Sequence, residues 1–293
     1  MTPRAAAAAR ATAPPNRETF YRDVLERLGE ARVPCLVGGA YGLASVTGIA
    51  PRTKDLDLFV RRVDCHSALE VLAAADYETA VPYPHWLAKV RAADEVIDLI
   101  FNSGNGQSPV DDEWFAHALH AEVCGVPVRV CPIEEMLWTK AFVMERERYD
   151  GADVVHLLHA AAECIDWQRV LNRFGDHWPV LLSHLLLFAY VYPGEADRVP
   201  AAILTRLLDR ARRGAGSPLS NAKLCRGGML SRAQYVVDLA DWGYDDARLA
   251  PRGAMTAEEL AQWTEAAPEV PRAAPDTHIA LERKPEVTER EPL

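Results

Sequence analysis

Two carboxylates, Asp55 and Asp57, flank a leucine in the run Lys54-Asp55-Leu56-Asp57-Leu58-Phe59. On a strand they point to one face while Leu56 and Leu58 point to the other. Side by side they repel unless a cation lies between them. Mg²⁺ suits the position, because it takes oxygen ligands and is often shared with phosphates. Upstream stands Leu36-Val37-Gly38-Gly39-Ala40. Residues 33–37 are apolar and partly β-branched, the pattern of a buried strand. Gly38 and Gly39 end it, allowing a sharp turn and the approach of a phosphate with no Cβ in the way. Residues 40–47 have helical spacing, so their first amides could face an anion. Downstream, Glu95-Val96-Ile97-Asp98-Leu99-Ile100-Phe101 sets a third carboxylate inside an apolar run. Alternation puts Asp98 on one face with Val96 and Ile100. Asp94 and Glu95 are rival acids, but they fall where a turn is expected.

A lone Asp-x-Asp carries little information, and a glycine pair alone fits any strand-ending turn. The order of the three elements carries more. It resembles the signature of the nucleotidyltransferases of the DNA polymerase beta superfamily: a hydrophobic residue and Gly-Gly or Gly-Ser, a short helix, Asp-h-Asp-h, then a later carboxylate. The resemblance implies transfer of a nucleoside monophosphate from an NTP to a hydroxyl acceptor, with release of pyrophosphate. It assigns Asp55 and Asp57 to two Mg²⁺ ions and the triphosphate. Asp98 would help to hold one ion and to activate the acceptor. A catalytically degenerate protein of the same fold, binding nucleotide or a partner without turnover, is the alternative; three intact carboxylates argue against it.

Beyond these acids, the loop Pro51-Arg52-Thr53-Lys54 offers a cation, Lys54, for a phosphate. The same residues also suit an ordinary exposed basic loop. The stretch from Trp138 through Lys140 to Arg148-Tyr149-Asp150-Gly151-Ala152-Asp153 is similar to the lysine-bearing helix and Asp-containing segment of nucleotidyltransferase-like toxins of type IV toxin–antitoxin systems. That likeness implies that Lys140 and Asp153 belong to the nucleotide site, with Arg148 and Asp150 in support. A helix corner held by an Arg148–Asp150 pair accounts for the same residues. The toxin-type first motif usually has Gly-Ser, whereas Gly38-Gly39 is closer to small-molecule nucleotidyltransferases. The acceptor therefore stays open among a small molecule, an RNA 3′ end and a protein. His156 and His159 share a helix face, and Arg206, Arg210, Arg212 and Arg213 cluster at a helix end. Packing and a solvated face explain both groups.

The elements that must position these residues follow from the rest of the chain. Its 293 residues are ample for a core. No apolar run approaches the roughly 20 residues that span a membrane. A net charge of −10 argues against coating extended DNA. The six cysteines include no Cys-x-x-Cys pair, which speaks against a zinc site and for a reduced, cytoplasmic protein. The expected fold class is α+β: a nucleotidyltransferase fold, meaning a mixed sheet with flanking helices, followed by an all-helical C-terminal domain. The expected divisions are a disordered tail over 1–16, the nucleotidyltransferase domain over 17–132, a helical domain over 133–249 and a mostly disordered tail over 250–293. Within them the patterns predict helices over 17–32, 66–75, 111–117, 132–147, 154–162 and 166–174, two more between 178 and 213, and one over 230–242. They predict strands over 33–37, 55–60, 86–91, 96–101 and 126–131, with 92–95 as a hairpin turn.

Overall fold

The computed structural model describes residues 16–214 and 223–265. Of the tails expected over 1–16 and 250–293, residues 1–15 and 266–293 lie outside the described residues. The first helix, α1 (Arg17–Glu30), starts where Asn16 accepts a hydrogen bond from the Thr19 amide at 2.9 Å. Its apolar stripe of Phe20, Tyr21, Val24, Leu25 and Leu28 is buried. At about 1.5–3 kcal/mol per large side chain, that burial rather than helix propensity fixes α1 on the sheet.

Next come β1 (Leu36–Val37), α2 (Gly39–Thr47), β2 (Asp55–Phe59), α3 (Arg62–Ala73), β3 (Glu78–Tyr83), β4 (Leu87–Ala92) and β5 (Glu95–Ile100). Then α4 (Asp112–Ala116) leads into the hairpin of β6 (Leu119–Val123) and β7 (Val126–Val130). The seven strands form one mixed sheet in the order β3-β4-β5-β2-β1-β7-β6. β2 runs parallel to β5, and β1 runs antiparallel to β2 but parallel to β7. Leu56, Leu58, Ile97 and Leu99 join the α1 and α3 side chains in one apolar layer. Asp55, Asp57 and Asp98 therefore look toward the other face, whereas Glu95, in step with Ile97 and Leu99, pairs with Arg17 of α1.

The rest is mainly helical: α5 (Ile133–Ala141), α6 (Gly151–Ala161), α7 (Trp167–Phe174), α8 (Trp178–Val191) and α9 (Ala201–Gly214). They share a second core that reaches back to Leu36 and Phe59 of the sheet. Among the described residues, no helix is long and apolar enough to cross a membrane.

Several expectations are corrected. The helix expected over 132–147 stops at Ala141, because the chain turns back: the Asp150 amide donates to the Val143 carbonyl and the Met144 amide to that of Leu230. The expected 230–242 helix shrinks to α10 (Val236–Ala240). The all-helical expectation misses a two-stranded pair, β8 (Leu224–Cys225) with β9 (Asp245–Asp246). Part of the expected C-terminal tail is ordered as α11 (Ala257–Glu265). Two strands, β3 and β6, were not expected: β3 is a half-exposed edge without clean alternation, whereas β6 does alternate, with His120 and Glu122 outward, but over five residues only. At the β3 edge, Gln262 of α11 donates to the Pro82 carbonyl at 3.0 Å.

Candidate active site

Parallel pairing of β2 with β5 sets Asp57 directly beside Asp98, while Asp55 lies beside Val96. Carboxylate oxygens of Asp55, Asp57 and Asp98 lie within 4.8 Å of one another. Among the described residues this is the one cluster of His, Cys, Asp and Glu that could hold a metal. Burial and the neighbouring Asp55 and Asp98 charges push the Asp57 carboxyl up to about 7, against the pull of Arg148 and Lys140. Burial also raises Asp98, and Lys89 opposes it. Acids whose carboxyls stay raised despite these cations fit a divalent cation, and three hard oxygen donors fit Mg²⁺. The Thr53 hydroxyl donates to Asp55 Oδ1 and fixes that carboxylate from the loop before β2.

The glycines sit where strand becomes helix. Gly38 is the N-cap of α2, and Gly39 is its first residue. Gly39 has φ of +53°, and a Cβ there would stand 1.7 Å from Asp57 Oδ2. At Gly38 a Cβ would meet the Phe59 ring at 2.3 Å. Bare backbone is thus required at Gly38 for packing and at Gly39 for the Asp57 carboxylate itself.

A second charged group stands at the junction of α5 and α6. Lys140, only 8 % exposed, donates to Asp153 at 2.6 Å and to Asp150 at 3.4 Å. Arg148 donates two bonds to Asp150, at 2.9 and 2.8 Å. Against the burial that would raise it, Arg148 and Lys140 hold the Asp150 carboxyl below its usual range. The Arg148–Asp150 pair that would hold a helix corner is therefore present. The charges of the same cluster also pull the Asp57 carboxyl down, against its burial.

A family model described as "Nucleotidyl transferase of unknown function (DUF2204)" matches residues 17–176. The chain belongs to this nucleotidyltransferase family. A search of curated proteins finds no match. Among solved structures, the lincosamide antibiotic adenylyltransferase LnuA is 14% identical; the alignment covers 51% of this chain and 100% of that one, with a TM-score of 0.37. The antibiotic-resistance factor ANT(2'')-Ia is 15% identical over 68% of this chain and 93% of its own, with a TM-score of 0.34. An antigenic nucleotidyltransferase-like protein from Paracoccidioides brasiliensis is 13% identical over 63% and 93%, with a TM-score of 0.41.

The other candidate side chains in this nucleotidyltransferase make no hydrogen bond or ion pair with Asp55, Asp57 or Asp98 among the described residues. Lys54 is exposed, and among the described residues its ammonium has no ion-pair partner; its carbonyl accepts from the Tyr21 hydroxyl at 3.3 Å. His159 pairs with Glu195 at 2.8 Å. Arg210 pairs with Asp176 and Arg212 with Asp209. Sequence reasoning missed Lys89, which donates to Asp98 Oδ1 at 2.6 Å from the adjacent strand. The expected hairpin held the signal: with Ala92 opposite Glu95, the register runs on to Lys89 opposite Asp98.

Proposed function

We propose that this nucleotidyltransferase moves a nucleoside monophosphate from an NTP to a hydroxyl acceptor in a Mg²⁺-dependent reaction. The acceptor oxygen bonds to the α-phosphorus, the bond from that phosphorus to pyrophosphate breaks, and the hydroxyl proton leaves. The observation that carries this reading is the gathering of Asp55, Asp57 and Asp98 on two paired parallel strands. These three residues would hold the metal; when bound, it neutralises phosphate charge and acidifies the attacking hydroxyl.

The chain's own groups do the rest. Asp98, fixed by Lys89, is placed to accept the acceptor proton. The first turn of α2, bare at Gly38 and Gly39, offers backbone to the phosphates. Lys140 and Arg148 supply cations to the phosphates, and Asp153 orients Lys140. Lys54, exposed before β2, is a further phosphate contact once an NTP is bound.

The test is pyrophosphate release with each of the four NTPs, with and without Mg²⁺, for the parent and Asp57→Asn. Acceptors drawn from aminoglycosides, lincosamides, tRNA and protein are supplied in turn. Metal-dependent release that the variant abolishes supports the reading. Nucleotide binding without turnover on any acceptor assigns the non-catalytic alternative.

A further inference from the structure

Arg148 stands on the turn 144–149, and its side chain is 69 % exposed, so no packed wall holds it. What fixes it is Asp150 at its tip and the turn at its base. The turn closes on itself: Met144 bridges Tyr149, and the Glu145 amide donates to the Arg148 carbonyl at 2.8 Å. Such a short hairpin is not stable alone.

Its support comes from far along the chain, past the end of the family match at residue 176. Glu145 Oε1 accepts from the Arg232 amide at 2.9 Å, and Oε2 accepts from the Ser231 hydroxyl. Ser231 is 1 % exposed, so the bond is protected from water. The Met144 amide donates to the Leu230 carbonyl at 3.0 Å, and Gln234 Nε2 donates to the Met144 carbonyl at 3.2 Å. The same segment holds the loop after β5, where Asn105 Nδ2 donates to the Met229 carbonyl at 2.7 Å. Residues 229–234 therefore tie the turn that carries Arg148 to the loop that follows the Asp98 strand.

We propose that Glu145 is a positioning residue: by anchoring the turn 144–149 on residues 230–234, it sets the Arg148 guanidinium at the carboxylate site. Glu145 makes no contact with nucleotide and acts only through Arg148. The inference rests on the reading of Arg148 as a phosphate-binding group. It makes a segment outside the family match part of the nucleotide site's construction.

The test is a double-mutant cycle read as NTP affinity, by calorimetry with Mg²⁺ and each NTP, and as the kcat and KM of pyrophosphate release. Arg148→Ala should weaken NTP binding by roughly tenfold or more, the loss of a charge-assisted bond. Glu145→Ala should weaken it by about fivefold, and should add almost nothing when Arg148 is already alanine. Glu145→Gln keeps an accepting oxygen and should recover part of the loss. Ser231→Ala, a milder cut from the other side, should show the same dependence on Arg148. It keeps the test open should Glu145→Ala fold poorly. Lower melting temperature with unchanged NTP affinity in Glu145→Ala and Ser231→Ala would make the anchor merely structural and overturn the proposal. So would losses that add to that of Arg148→Ala. Unchanged binding in Arg148→Ala would overturn the phosphate-binding reading itself, and this inference with it.

Discussion

Lys89 on β4 donates to Asp98 on β5 at 2.6 Å, from the register position directly opposite it. The ammonium opposes the burial that raises the Asp98 carboxyl. Lys89→Met should therefore push Asp98 further up, moving the acid limb of the pH–rate profile to higher pH and lowering turnover near neutrality. An acid limb that stays where the parent has it would remove Lys89 from any part in the reaction.

The Asp57 carboxyl, held at about 7, makes stability depend on pH with a definite sign. Its unfolded value is about 3.9, so the folded state binds the proton more tightly. The contribution is full below that value and is lost as pH rises through about 7. Asp57→Asn removes the effect. The variant's melting temperature should gain on the parent's between about pH 4 and pH 7, and Mg²⁺ should close the gap by stabilising only the parent. Below about pH 7, apparent Mg²⁺ affinity should rise roughly tenfold per pH unit while a single proton competes for the site. A gap that is constant with pH would show that Asp57 is not perturbed.

At Gly39 the backbone and the carboxylate make separate demands. Gly39→Ala brings strain of about 1–3 kcal/mol from its positive φ, which a core of this size should survive. The added Cβ also collides with Asp57 Oδ2. The expected outcome is a folded protein, melting lower than the parent, whose Mg²⁺ titration is abolished and whose ATP affinity falls with it. Normal Mg²⁺ binding would show that Asp57 can move aside at no cost to the site.

Lys140→Ala is expected to fold, because Asp150 keeps Arg148 and Asp153 is partly open to water. It should lose NTP affinity or turnover by at least about tenfold, as for a charge-assisted bond to phosphate worth roughly 1.5–3 kcal/mol. Asp153→Asn should weaken the same step by less. Titration of both variants with each NTP decides the matter, and unchanged affinity would leave Lys140 as a structural ion pair.

How much of this was legible in the sequence follows from how local each signal is. Asp55, Asp57 and Gly39 were readable because strand alternation and a glycine turn are properties of a few neighbouring residues. Asp98 was singled out by the family resemblance, which calls for a later carboxylate inside an apolar run, and its pairing with Asp57 is a fact of the sheet. Lys89 was within reach through the hairpin register and was missed because it was read as one strand residue among others. The end of α5 at Ala141 was not readable. Residues 142–147 suit a helix locally, and what stops it is a bond from Met144 to Leu230. β3 was hidden for the opposite reason, since that edge buries too little to show a pattern, whereas the alternation of Leu119, Ala121 and Val123 with His120 and Glu122 made β6 readable in principle. Helix α11 lay in a composition that reads as tail. Its order comes from Trp263, packed edge-on against Tyr83 and Trp86 at 5.5 and 5.3 Å.

The bond from Gln262 to Pro82 has a consequence for the protein in concentrated solution. An open sheet edge is a template on which a second chain can add a strand, and β3 is such an edge. Pro82 has no amide hydrogen to offer, and Gln262 already occupies its carbonyl. Helix α11 thus denies an incoming strand its pairing points at that position, guarding the sheet against self-association and aggregation.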